Sequence, residues 1–214
     1  MSPPVGPTGL ALACDGSEPG PWRVGVSGGG FRSELTFTGG RGVDVGEQSV
    51  TATLSWHKDP RFGVEGGLGA ILGGRLTFAG VDHDVAPGFA ATVAGSWLAL
   101  FEDGARPFVL VTATASVSTA TTDGGAARLT AFDLRAGLVV GKTFFARLTP
   151  YVAGRVFAGP VSWTLDGADV TGSDQHHFSV GGGATLRLPG GVDVFAEGMA
   201  FGERALDAGI GLSF

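Results

Sequence analysis

Over the eleven residues Arg204-Ala-Leu-Asp-Ala-Gly-Ile-Gly-Leu-Ser-Phe214, apolar and polar positions alternate without a break. Leu206, Ala208, Ile210, Leu212 and Phe214 share one face, and Asp207, Gly209, Gly211 and Ser213 share the other. A period of two is that of a β-strand, whose successive side chains point to opposite faces of the sheet. An alternation that reaches the final residue and stops on an aromatic suits a strand lying between lipid and a polar interior.

The same habit runs from Trp22 onward in about ten segments of ten to fifteen residues, separated by clusters of Gly, Asp and Pro. Val50, Ala52, Leu54 and Trp56 oppose Thr51, Thr53, Ser55 and His57. Val109, Val111, Ala113, Ala115 and Val117 oppose Thr112, Thr114, Ser116 and Ser118. In the first segment the phase is expected to shift at Gly28-Gly-Gly30, as at a β-bulge. Asp59-Pro60, Glu102–Pro107 and Pro189-Gly-Gly191 predict tight turns at one end. Residues 39–46, 77–86, 119–127 and 166–175 predict longer loops at the other, with a single short connection near Gly202-Glu203. The reading is therefore all-β: one transmembrane, antiparallel, up-and-down β-barrel of about ten strands, with eight or twelve as alternatives. Residues 22–214 form the barrel and 1–21 a flexible leader, in which Leu10-Ala-Leu-Ala-Cys14 has the outline of a lipidation box without its basic and apolar flanks.

Composition narrows this picture. Gly accounts for 39 of 214 residues and charged residues for 16%, against an ordinary share of about 25% charged. The longest apolar run, Phe89–Phe101, is broken by Thr92, Gly95 and Ser96 and falls short of the ~18 apolar residues of a membrane helix. Net charge is −6 with no Lys/Arg cluster, which argues against a nucleic-acid surface. A soluble lipocalin or sandwich also alternates, but it shows charge outside; here the polar faces are mostly Gly, Ser and Thr.

If the apolar faces meet lipid, the opposite faces line the lumen. They carry Arg23, Arg32, Arg75, Arg135, Arg155 and Arg187 against Glu34, Glu65, Asp133, Asp193, Glu197 and Asp207. Balanced arginines and carboxylates pair through bidentate hydrogen bonds, and a barrel of about eight to ten strands is barely wider than its own side chains. A plugged lumen follows. Gly67, Gly69, Gly181 and Gly183 would leave room for the arginines or for water, and would equally line a narrow tunnel. Trp22, Trp56, Phe89, Trp97, Phe101, Trp163 and Phe214 are expected at the membrane interfaces, where aromatic rings anchor a barrel. Neither His83, His176 and His177 nor the lone Cys14 forms a ligand spacing for a metal. No cofactor motif is present, and no Gly-x-Ser-x-Gly elbow or Cys/His pair suggests acyl chemistry.

Gly209-Ile-Gly-Leu-Ser-Phe214 resembles the C-terminal insertion signal of bacterial outer-membrane β-barrels, including the final Phe. The resemblance covers Trp22–Phe214 at the level of pattern. It implies the outer membrane of a Gram-negative cell, periplasmic termini, assembly by the barrel insertion machinery, and lipopolysaccharide as a neighbour. Ten strands is also the count of the omptin family of outer-membrane proteases, with an Asp-x-Asp pair on the second outer loop and an Asp-x-His on the fourth. Asp82-His83-Asp84 and Asp174-Gln175-His176 are similar, and such a set would activate a water, with His176 as base and the carboxylates orienting it. The loops here are shorter than omptin loops, and Asp174 lies directly against a strand. The sequence thus favours a non-enzymatic barrel with a plugged lumen, serving as an anchor, scaffold or docking component for envelope proteins. A narrow pore for small solutes and an omptin-like surface hydrolase are the alternatives.

Overall fold

In the computed structural model, which describes residues 20–122, 125, 127–165 and 168–214, the alternating segments join into one antiparallel sheet. Its strands are β1 (Trp22–Phe37), β2 (Arg41–His57), β3 (Phe62–Phe78), β4 (Val81–Val85), β5 (Gly88–Leu100), β6 (Phe108–Thr122) and β7 (Ala127–Gly141). They continue as β8 (Leu148–Ala158), β9 (Val161–Leu165), β10 (Ala168–Asp174), β11 (Phe178–Arg187), β12 (Val192–Gly202) and β13 (Arg204–Ser213). Three wall strands are each split in two. Pro87 parts β4 from β5 and Pro160 parts β8 from β9, since proline cannot donate to the ladder. Gln175–His177 parts β10 from β11.

The pairings close the sheet twice. At the end bearing the described termini, ten strands form a ring in the order β1-β2-β3-β5-β6-β7-β8-β11-β12-β13, with β13 returning to β1 from Arg23↔Ser213 to Arg32↔Arg204. The β12–β13 hairpin turns at Gly202-Glu203, partway up the wall. Above it β10 leaves β11 and pairs with β1 through Leu35↔Asp174 and Phe37↔Gly172. The far end is therefore a ring of eight, β1-β2-β3-β4-β6-β7-β9-β10. Gly202 makes this fork possible: its φ is +75° and a Cβ there would lie 1.8 Å from the Phe178 carbonyl oxygen, a position open only to glycine.

Polarity inverts along the strands. In the ten-stranded part the outward residues are apolar, among them Val24, Val26, Leu54, Val64, Leu68, Val93, Leu138, Val152 and Ile210. On β3 this belt runs from Phe62 to Leu72, which at about 3.3 Å per residue and a tilt of about 40° climbs roughly 25 Å. Aromatics mark both edges: Trp22, Trp56, Phe62, Trp97, Phe101 and Phe214 at one, and Phe89, Phe132, Phe178 and Phe201 at the other. In the eight-stranded part the faces trade places. Arg32, Glu34, Thr36, Asp44 and Thr130 point outward, while Phe31, Leu35, Phe37, Val43, Val45, Ile71, Leu76, Leu129, Val161 and Trp163 pack inside.

Several expectations are corrected here. Register is continuous through Gly28-Gly-Gly30 on both sides of β1, so no bulge lies there. The register shifts fall instead at Gln48/Ser49, Leu98/Leu100 and Val180/Gly181. The long outer loops are mostly strand: β1 reaches Phe37 and β2 begins at Arg41, while β3 and β4 are separated by Ala79-Gly80 alone. The expected leader lies outside the described residues except for Gly20 and Pro21, as does Cys14; the Pro21 carbonyl accepts a hydrogen bond from the His57 amide at 2.8 Å.

Candidate functional site: the barrel interior

The strand alternation aims one residue in two at the axis, so the interior is built directly from the sequence pattern. Beneath the apolar core of the eight-stranded ring lies a charged layer. Arg135 on β7 is its centre: its two Nη atoms reach Glu203 Oε1 and Oε2 at 2.6 and 2.9 Å, and its Nε reaches Asp133 Oδ2 at 2.6 Å. The guanidinium also lies 4.7 Å over the Phe157 ring. Glu203, at the hairpin turn, is 1% exposed. Arg155 on β8 reaches across to Glu197 Oε1 at 2.6 Å, and Asp207 sits on the strand opposite Glu197. Asp174 accepts from Ser33 Oγ at 2.8 Å.

Closer to the ten-stranded rim, Arg23 forms a two-point pair with Asp193, Nε–Oδ2 3.0 Å and Nη2–Oδ1 2.6 Å. Ser55 Oγ donates to Glu65 Oε2 at 2.6 Å. Gly211 leaves room for the Arg23–Asp193 pair, because a Cβ at that position would lie 2.0 Å from Arg23 Nη2. Of the four glycines expected to leave room for arginines or water, or to line a narrow tunnel, Gly67 abuts Thr92 and Thr53, Gly69 abuts Thr51, Gly183 the Tyr151 ring, and Gly181 Met199.

The charges placed inside differ from those read along the sequence. Arg23, Arg135, Arg155, Arg187, Glu65, Asp133, Asp193, Glu197 and Asp207 face inward. Arg32, Glu34 and Arg75 do not. They sit beyond the polarity switch, on the exposed outer wall, and Arg75 pairs there with Asp82 at 3.2 Å. Glu47, Asp174 and Glu203 also point inward, beyond the residues expected in the lumen; Glu47 continues the face of Thr51, Thr53 and Ser55 at period two. Among the described residues eight carboxylates thus share the interior with four arginines, in place of an even balance. Among the described residues Glu47 Oε2, Asp133 Oδ1 and Glu197 Oε2 find no hydrogen-bond partner, in keeping with that excess.

The omptin-like residues do not converge. Asp82 and Asp84 are exposed on the outside of β4, and Asp82 accepts from Thr77 at 2.7 Å. His176 is exposed, with its ring 6.3 Å from Phe178. Asp174 alone faces the interior, 4% exposed, so the sheet separates it from the other three. The straight passage of the strands through the supposed loops is the cause. His83 turns inward to meet Trp163 edge-on at 5.2 Å. Among the described residues no three His, Cys, Asp or Glu side chains gather as a cation cage.

Of the aromatics expected at the interfaces, Trp22, Trp56, Phe89, Trp97, Phe101 and Phe214 lie on the outer surface at the belt edges, with Trp22 and Trp56 paired across strands at 6.5 Å. Trp163 is a correction. It is 1% exposed inside the eight-stranded ring, with Nε1 donating to Thr122 Oγ1 at 3.2 Å and its ring 6.0 Å from Phe37.

No protein-family model and no curated protein sequence matches the chain. Solved structures do. The outer-membrane protease OmpT from Escherichia coli superimposes with a TM-score of 0.53 at 11% identity, over 90% of this chain and 96% of that one. The translocator domain of the autotransporter NalP from Neisseria meningitidis gives 0.51 at 11% identity, over 94% and 90%. At such identities the likeness speaks for the fold alone: the chain is a β-barrel of the outer-membrane type.

Proposed function

We propose that the chain is an integral outer-membrane barrel with a closed lumen, working as an anchor or scaffold and not as a conduit. One observation carries this reading: the eight-stranded end is filled by packed apolar side chains, with Leu35, Leu76, Ile71, Val161 and Trp163 each at most 1% exposed. Apolar side chains packed across the axis leave no continuous path for water or ions. In this reading the rim with Trp22 and Phe214 faces the periplasm and the eight-stranded end stands above the membrane. The belt meets the bilayer and lipopolysaccharide, the barrel insertion machinery assembles the chain, and envelope proteins dock on the hairpin tips or periplasmic turns. The balanced lumen first read from sequence is no part of the support; the apolar outer core takes its place.

Planar-bilayer recording tests the closed lumen. The refolded chain should insert without discrete conductance steps, and reproducible unitary steps would overturn the proposal. The membrane assignment has its own check: the folded barrel should migrate differently before and after boiling in SDS.

A further inference from the structure

Arg32 on β1 and Arg204 on β13 are register partners, and both side chains are exposed on the outer wall. Like charges directly opposite one another destabilise a sheet, and no ion pair to either arginine occurs among the described residues. The carboxylates next to them, Glu34 and Asp44, face each other one step further along β1 and β2 and leave the arginine pair without a direct partner.

The pair also stands at a particular height. It marks the polarity switch, where outward residues change from apolar to charged. On the belt side of the pair Leu206, 70% exposed, stands opposite Gly30. Beside it the outward positions are small: Gly28 and Gly30 on β1, and Ala208 on β13 opposite Gly28. Neither glycine is required by its backbone, since a Cβ at Gly28 would come no closer than 3.5 Å to anything and one at Gly30 no closer than 3.3 Å. Two arginines thus stand above a shallow furrow along β1, bordered by Leu206 on β13 and by Val50 and Gln48 on β2.

We propose that Arg32 and Arg204 hold the phosphate of a phosphorylated lipid, whose acyl chains lie along Gly28, Gly30, Ala208 and Leu206. Paired guanidiniums match the oxygens of a phosphate geometrically, and its negative charge relieves their mutual repulsion. The inference rests on the membrane reading above, because the furrow is part of the lipid-facing belt.

The test uses the full chain refolded into phosphatidylcholine vesicles, with insertion verified by the SDS mobility shift. Spin-labelled phosphatidic acid and spin-labelled phosphatidylcholine then report how strongly each lipid is immobilised at the barrel surface. The wild type should prefer phosphatidic acid on the order of tenfold, given what an arginine near an anionic surface contributes, and this should weaken with salt. R32Q/R204Q should bring the ratio close to one, while R41Q, at a hairpin tip, should leave it unchanged. Inorganic phosphate should not compete. An inserted wild type with no preference, a preference that survives R32Q/R204Q, or loss of the preference to inorganic phosphate would each overturn the lipid site. Failure to insert into neutral vesicles would instead sink the membrane reading itself.

Discussion

Glu203→Ala is the sharpest single perturbation of this barrel. Glu203 occupies the turn at which the wall passes from ten strands to eight, and both its oxygens are held by Arg135 at 2.6 and 2.9 Å. The side chains are 8% and 1% exposed, so water cannot replace what is lost. Removing one member of a buried pair costs about 3–5 kcal/mol, mostly from the charge left behind. Asp133 remains on Arg135 Nε and should hold the loss toward the lower end. With a urea slope of about 2–3 kcal/mol per molar for a chain of this size, the unfolding midpoint should fall by roughly 1–2 M in vesicles, followed by loss of the SDS mobility shift. Native-state hydrogen exchange should place the damage: amides of Met199–Leu206 lose protection first, ahead of those of β2 and β3. Glu34→Ala removes an exposed carboxylate from the outer wall and should stay within about 0.5 kcal/mol of the wild type. If Glu203→Ala and Glu34→Ala were indistinguishable, the lumenal pair would not be holding the hairpin tip and the structural argument would fail.

The remaining predictions probe the rest of the interior. Gly211→Ala adds a Cβ 2.0 Å from Arg23 Nη2, should displace the guanidinium from Asp193 and cost about 1–3 kcal/mol as an overpacked site in the same urea titration; no measurable loss would mean that the side chain shifts without breaking the pair. Leu35→Ala, at a residue with 0% exposure, should cost about 2–5 kcal/mol as a core cavity, whereas Thr36→Ala, its outward neighbour, should be near neutral; the reverse order would contradict the inverted polarity of the eight-stranded end. Single-tryptophan variants in brominated lipid should show strong quenching of Trp22, Trp56 and Trp97 and none of Trp163, and quenching of Trp163 would put it back on the lipid surface.

Legibility in the sequence followed the physics of each feature. Alternation alone gives the strands and the inward or outward sense of every residue within a phase, which is why Arg23, Arg135, Arg155 and Asp207 could be placed. It does not say what medium meets each face. The phase shift expected at Gly28-Gly-Gly30 would carry Arg32 and Glu34 to the lumenal face. They instead share the outward face with Val24 and Val26 on an unbroken strand, beyond the height at which lipid ends. Trp163 fits an interface anchor by residue type, yet beyond the belt the apolar face is the inner one, and it lies there 1% exposed. Glu203 gave no signal, because its burial depends on a hairpin turning partway up the wall, and that follows from the long-range pairing of β10 with β1.

The inversion also explains why the outer end needs eight strands. In the belt, lipid covers the outer face, and the inner face can be polar because the wider lumen holds Arg23–Asp193, Arg155–Glu197 and Arg135–Glu203 pairs. Beyond the belt the outer face meets water and must become polar. The only apolar surface left to drive folding is then the inside, and it is stable only if its side chains touch across the axis. Ten strands would leave a gap there, since barrel diameter grows with strand number. Ending β12 and β13 at Gly202-Glu203 removes two strands at the height where the change is needed, and brings Phe37, Val161 and Trp163 into one packed core. The Arg135–Glu203 pair sits directly below that step, so the charge layer and the narrowing are parts of one solution.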